Sequence, residues 1–219
     1  MHFLRSVIVP SLAAVATAQL TGQQIAEEIL EVTHEVQKVN YIAERLNHES
    51  EYNEKERLLN GLEKVASYTR AGAREIQRTD RLVKTRQTME ADLPECENAV
   101  DVDQCHEDII THNPPPGLKI RQASYNLSDE EQGDICKTFG GYTTIQRDLL
   151  ETMVEKRSLM DASQLTDEAA KWLRDLRRAS NSFTAVVVPH LTTCSESAGK
   201  KKDELARSFK LAVEAYESA

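Results

Sequence analysis

The sequence predicts an all-α protein, an antiparallel bundle of about five amphipathic helices with one long loop rich in proline and cysteine. Three observations lead there. Apolar residues recur at alternating steps of four and three, which keeps them on one face of a helix. In the clearest of these stripes the alternation by two that marks a strand is absent. Aromatic residues make up only 5% of the chain, so the core must be mainly aliphatic, which suits helices better than a β-sandwich.

The first helix is read from Ile25, Ile29, Val32, Val36, Val39, Ala43 and Leu46, a single apolar stripe. The second carries Leu58, Leu62, Val65, Thr69, Gly72, Ile76, Thr79 and Val83. Its middle (Thr69, Gly72, Ala73) is small and weakly apolar, which implies either a closely packed neighbour or a loosely filled core. Residues 92–126 break the pattern with Pro94, two cysteines and the run Asn113-Pro114-Pro115-Pro116-Gly117. Consecutive prolines continue neither a helix nor a central strand. A loop of this length is commonly functional.

Ser128-Asp129-Glu130-Glu131 forms a capping box and opens the third helix. Its predicted stripe is Ile135, Phe139, Tyr142, Ile145, Leu149, Met153 and Val154, with a kink or break expected at Gly140-Gly141. Thr166-Asp167-Glu168 opens a fourth helix, placing acids at the positive end of its dipole. That helix carries Ala169, Leu173, Leu176, Ser180, Phe183 and Val187, and Pro189 ends it. A fifth follows Ser195 and Ser197, with Leu205, Phe209, Ala212 and Tyr216 on one face.

Ahead of the helices, residues 1–18 read as a signal peptide. Arg5 supplies the positive region, Val7 to Val15 a short apolar core, and Ala16-Thr17-Ala18 a small-x-small cleavage site. The apolar run is far shorter than the ~20 residues of a membrane span. The expected product is a single helical-bundle domain over 19–219, secreted and extracellular, with the cell wall as a candidate site of association. The 212–219 end lacks the apolar tail of a lipid-anchor signal, and no second run of membrane-spanning length follows. Cleavage removes one charged residue, so 27 basic and 36 acidic residues become 26 and 36 and the net charge moves from −9 to −10. That balance disfavours nucleic acid and anionic membranes as partners.

The four cysteines are Cys96, Cys105, Cys136 and Cys194. In an exported chain an even number points to disulfides, and three pairings are open. No C-x-x-C pair occurs, which argues against zinc. If successive helices run antiparallel, the end of helix two, the start of helix three and the end of helix four share one pole, and all four cysteines lie there. Cys96–Cys105 and Cys136–Cys194 is the favoured pairing.

Catalytic groupings are missing from the sequence. His34-Glu35 and His106-Glu107 each begin H-E-x-x-H, but the fifth positions are Lys38 and Ile110. Cys105, His106, Glu107, Asp108 and His112 cluster in a manner best explained by a solvated acidic loop. There is no G-x-S-x-G elbow or phosphate-binding glycine loop. The expectation is a non-enzyme without cofactor or metal. Asn126-Leu127-Ser128 is the sole N-glycosylation sequon.

The stretch Tyr142-Thr143-Thr144-Ile145-Gln146-Arg147-Asp148-Leu149-Leu150 with Met153-Val154-Glu155-Lys156 resembles a known pattern. It continues with Ala170-Lys171-Trp172-Leu173-Arg174-Asp175-Leu176, Ser182-Phe183, Val188-Pro189, and Leu205 to Tyr216. This order resembles the fungal hydrophobic-surface-binding protein A and cell-wall galactomannoprotein family, in detail over 142–216 and in outline over 22–218. The resemblance implies a secreted glycoprotein-like helical bundle that binds hydrophobic surfaces, or lipids and fatty acids between its helices. The chain departs from the family in its four cysteines, its long proline-rich loop and its lack of a Ser/Thr-rich tail. The expected lining for an apolar ligand is Val36, Val39, Leu62, Thr69, Ile76, Leu149, Met153, Leu173, Leu176, Phe183 and Phe209. The alternative is an effector-like interaction protein that meets a host or cell-wall protein through residues 92–126, since surface loops commonly carry recognition.

Overall fold

The computed structural model describes residues 21–91 and 127–217, with side chains through residue 81 in the first segment. Five long helices dominate: α1 (Gly22–Arg45), α2 (Tyr52–Ala91), α3 (Asp129–Glu155), α5 (Thr166–Val187) and α6 (Ser195–Glu217). A short α4 (Arg157–Asp161), which the apolar pattern does not predict, turns the chain between α3 and α5. A 3-10 turn over Val188–His190 follows α5, where Pro189 was expected to end the helix. No strand occurs among the described residues.

Successive long helices run in opposite directions, as expected. Their side-by-side arrangement is a closed ring. α1 packs on α2 and α3, α3 on α6, α6 on α5, and α5 on α2. Within the ring α1 and α3 are parallel. The Gly22 N–H at the start of α1 donates to Glu131 at the start of α3 (3.1 Å), and Lys156 beyond the end of α3 donates to the Leu46 carbonyl beyond the end of α1 (2.7 Å).

The helix starts follow from local chemistry. Ser128 caps α3 and Glu131 reaches back to the Ser128 N–H, which completes the predicted capping box. The Glu131 carboxylate, accepting also from Gly22, thus serves the N-termini of two helices. These bonds, the Ser128 N–H first, hold its carboxyl below the ordinary range. A Cβ at position 22 would stand 2.4 Å from Glu131 Cβ, so glycine is needed for this approach. Thr21 caps α1 in a second capping box with Gln24. At the other pole the Lys156 ammonium satisfies carbonyls left open where α1 stops.

One core cluster joins all five long helices. The α1 stripe is buried at every predicted position. On α2 the stripe is buried from Leu58 to Ile76 and Thr79 lies at its edge; the side chain of Val83 lies outside the described residues.

The third helix corrects two expectations. It runs unbroken through Gly140-Gly141, because α-helical bonding continues there and the Thr143 and Thr144 hydroxyls both donate to the Gly140 carbonyl. Its inward stripe is Ile135, Phe139, Tyr142, Gln146, Leu149 and Met153. Ile145 is only partly buried and Val154 is exposed. An apolar reading of the pattern passes over Gln146, which keeps the four–three spacing but is polar.

Cys136 and Cys194 are joined, with Cα atoms 6.2 Å apart and 58 residues of separation. The favoured pairing holds for this bridge; Cys96 and Cys105 lie outside the described residues. Beside the bridge, Gln132 Oε1 accepts from the Thr193 N–H (3.1 Å) and the Thr192 hydroxyl. The start of α3 and the approach to α6 are therefore clasped both covalently and by hydrogen bonds.

Candidate apolar ligand site

All eleven residues predicted to line an apolar site are buried in the ring interior. Hydrogen bonds and close contacts between helices fix how they align around these residues. Lys55 on α2 donates to Ser163 ahead of α5 (2.8 Å), and Gly72 faces the Phe183 ring. On the opposite side Arg147 bonds Glu204 (2.7 Å) and the Tyr216 hydroxyl donates to the Met153 carbonyl (2.7 Å). This register brings Val36, Leu176 and Phe209 to the level of Gln146.

One level towards the disulfide pole, a crossbar spans the ring. The Tyr142 and Ser180 hydroxyls are hydrogen-bonded at 2.9 Å, and the Phe183 ring meets Tyr142 edge-on, 5.3 Å between centroids. Burial pushes the Tyr142 hydroxyl well above its ordinary pKa, so it stays neutral. The crossbar divides the eleven residues. Ile76 and Phe183 lie on its disulfide side. Val36, Val39, Leu62, Leu149, Met153, Leu173, Leu176 and Phe209 lie on the other, where the interior is almost wholly aliphatic. Thr69, at this level, uses its hydroxyl within its own helix by donating to the Val65 carbonyl (2.8 Å).

A second feature lies outside the ring. A groove of about 1180 Å³ runs between α1 and α3, with Ala26, Leu30, Gly140, Gly141 and Ile145 along it and Lys137 and Lys201 at its side. Leu30 is half exposed there. The paired glycines keep the groove open: a Cβ at 141 would meet nothing, and one at 140 would meet only the Lys201 ammonium. Sequence reading treated Gly140-Gly141 as a helix defect; only the α1–α3 pairing reveals their use.

Between α1 and α2, Glu27, Glu28, Glu31 and Glu75 gather around a smaller recess. Burial first, then the charges of Glu31, Glu75 and Glu27, raises the Glu28 carboxyl above its ordinary value. The folded state then holds a proton that the unfolded chain releases, so stability falls as pH rises from about 4.5 through the raised value. Glu28→Gln is expected to raise Tm at pH 7 and to make little difference at pH 4, read by thermal scans at the two values. Equal shifts at both would remove the electrostatic explanation.

Among the described residues no helix is long and apolar enough to cross a membrane, and no group of His, Cys, Asp and Glu has a metal-binding arrangement. The sequon at Asn126, the signal-like residues 1–18 and the proposed recognition loop 92–126 lie outside the described residues.

No protein-family model matches the chain, and no curated protein matches it. Two solved structures do. Ligand-binding domain 1 of the Penicillium marneffei MP1 protein, complexed with arachidonic acids, superposes with a TM-score of 0.60 at 12% identity, over 89% of this chain and 98% of that one. Ligand-binding domain 2 of the same protein, complexed with multiple arachidonic acids, gives 0.58 at 12% identity, over 90% and 96%. The chain has the fold of these two fungal domains. At such identity the likeness is one of backbone architecture.

Proposed function

We propose that this protein is a secreted, non-catalytic binder of fatty-acid-class lipids that takes the acyl chain into the interior of its helical ring. The observation that carries this reading is the near full-length fold correspondence with two domains solved around arachidonic acid. The aliphatic half-ring beyond the Tyr142–Ser180 crossbar supports it, since apolar ligands are held in concave, mainly apolar sites. Residues 1–18 support export, and the segments over 142–216 support kinship with fungal hydrophobic-surface-binding proteins.

The test is titration of delipidated protein with a fluorescent fatty acid. Saturable binding at micromolar protein is expected, and its absence overturns the proposal. Leu176→Phe, which puts a ring into the space the acyl chain would take, should weaken binding about tenfold, about 1.4 kcal/mol. Leu30→Glu in the outer groove should leave affinity within about twofold, well under 1 kcal/mol. The reverse outcome moves the site to the groove.

A further inference from the structure

The α3 stripe that faces the ring interior has one polar interruption with no bonding partner. Gln146 is fully buried, and neither its Nε2 nor its Oε1 has a hydrogen-bond partner. Buried amides are ordinarily satisfied, because an unused donor and acceptor in an apolar interior lose their hydration for nothing. Thr69, Tyr142, Thr143 and Ser180, buried polar groups near this level, are already bonded. Gln146 thus stands one turn from the crossbar, on the side of the aliphatic half-ring.

Resting on the fatty-acid reading above, we propose that Gln146 is the head-group contact of the internal site and that it takes the head group uncharged. A carboxamide sets a donor beside an acceptor. A protonated carboxylic acid, or a fatty primary amide, presents the complementary pair and can make two reciprocal hydrogen bonds. A carboxylate offers acceptors only, so it satisfies Nε2 but opposes Oε1.

The nearest charged side chains on the surrounding helices are paired with one another, although the buried Nε of Arg147 has no partner. On α3, Arg147 bonds Glu204 of α6. On α1, Glu35 is held by Lys38 and by Lys64 of α2. Arg174 of α5 pairs with Glu217 of α6, and Tyr216 of α6 donates to the Met153 carbonyl. The buried basic side chains among the described residues are Lys55, at the pole where α2 begins, and His190, in the turn at the opposite pole. An ion taken into this interior would be unpaired, which favours its neutral form.

The experiment compares decanoic acid with decanamide, by displacement of a fluorescent fatty acid from delipidated protein between pH 5 and 8. Decanamide affinity should be flat across this range. Decanoic acid affinity should fall about tenfold per pH unit above the acid's own pKa, because only the protonated form is taken up. Gln146→Leu should cut decanamide affinity at least about tenfold and weaken decanoic acid binding at pH 5 as well, while the acid's preference for low pH persists because the interior still offers an ion no partner. It should also raise Tm, since it removes an unpaired buried amide, so loss of binding cannot come from misfolding. Decanoic acid bound equally at pH 5 and 8, or decanamide affinity untouched by Gln146→Leu, overturns the head-group assignment while the fatty-acid reading stands. Wild-type protein that takes up neither compound, nor the fluorescent fatty acid itself, overturns both.

Discussion

Replacing Cys136 and Cys194 together by serine is expected to destabilise the protein by about 4 kcal/mol. The bridge closes a loop across 58 residues, and in the chain-entropy description a loop of that length restricts the unfolded ensemble by about this amount. For a chain of this size that corresponds to a fall in Tm of roughly 10 °C. The measurement is urea unfolding followed by far-ultraviolet circular dichroism. Reductant should bring the wild type towards the variant, while the variant separates this bridge from any involving Cys96 and Cys105. The native helical signal should survive in the variant, because Gln132 still clasps Thr192 and Thr193 beside the lost bond. A loss below about 1 kcal/mol would mean that the clasp alone sets the α3–α6 spacing, since neutral hydrogen bonds contribute about that much each.

This bridge shows how far a sequence can be read. Helix periodicity with alternating direction placed Cys136 and Cys194 at one pole, and they are joined there. Capping chemistry was equally legible: Ser128 and Glu131 are local, and short-range rules govern local bonds. What remained hidden depends on partners distant in the chain. Glu131 also receives Gly22, 109 positions away. Gly140-Gly141 looks like a weak point until α1 and α6 are laid against α3. The ring order itself, with α1 beside α3 and α2 beside α5, follows from contacts that no stripe specifies. Gln146 was missed for a different reason. A search for apolar residues at helical spacing substitutes Ile145 for it, one position out of register. The usable signal was the spacing itself, since Tyr142, Gln146 and Leu149 keep the four–three step that Ile145 breaks. The aliphatic lining was legible as a core, because hydrophobic spacing reports burial.

The second large effect is expected at Phe183, where the middle of α2 explains its small residues. Phe183→Ala should cost about 3–5 kcal/mol, the usual range for emptying a buried aromatic site, and it removes the edge-on contact with Tyr142. Gly72 is the counterpart across the α2–α5 contact. A Cβ there would lie 3.1 Å from Phe183 Cε2 and 3.2 Å from Glu28 Oε2. Gly72→Ala alone should therefore be close to neutral: about 1 kcal/mol of helix propensity is gained and crowding against the ring offsets it. In the Phe183→Ala background the ring is gone and only the end of the Glu28 side chain stands close to the new methyl, so the same change should stabilise by about 1 kcal/mol. The cycle should then show a coupling near 1 kcal/mol, read from urea midpoints of the four proteins. Additivity within about 0.3 kcal/mol would mean that Gly72 does not exist to admit the ring. The consequence for binding follows from geometry. Phe183 supports the Tyr142–Ser180 crossbar on its disulfide side, so Phe183→Ala extends apolar space past the level where Gln146 would hold a head group. A chain whose head group is held at Gln146 lies on the other side of the crossbar, so Phe183→Ala should leave the preference among acyl-chain lengths unchanged, and a gain for longer chains would mean that the head group is held elsewhere.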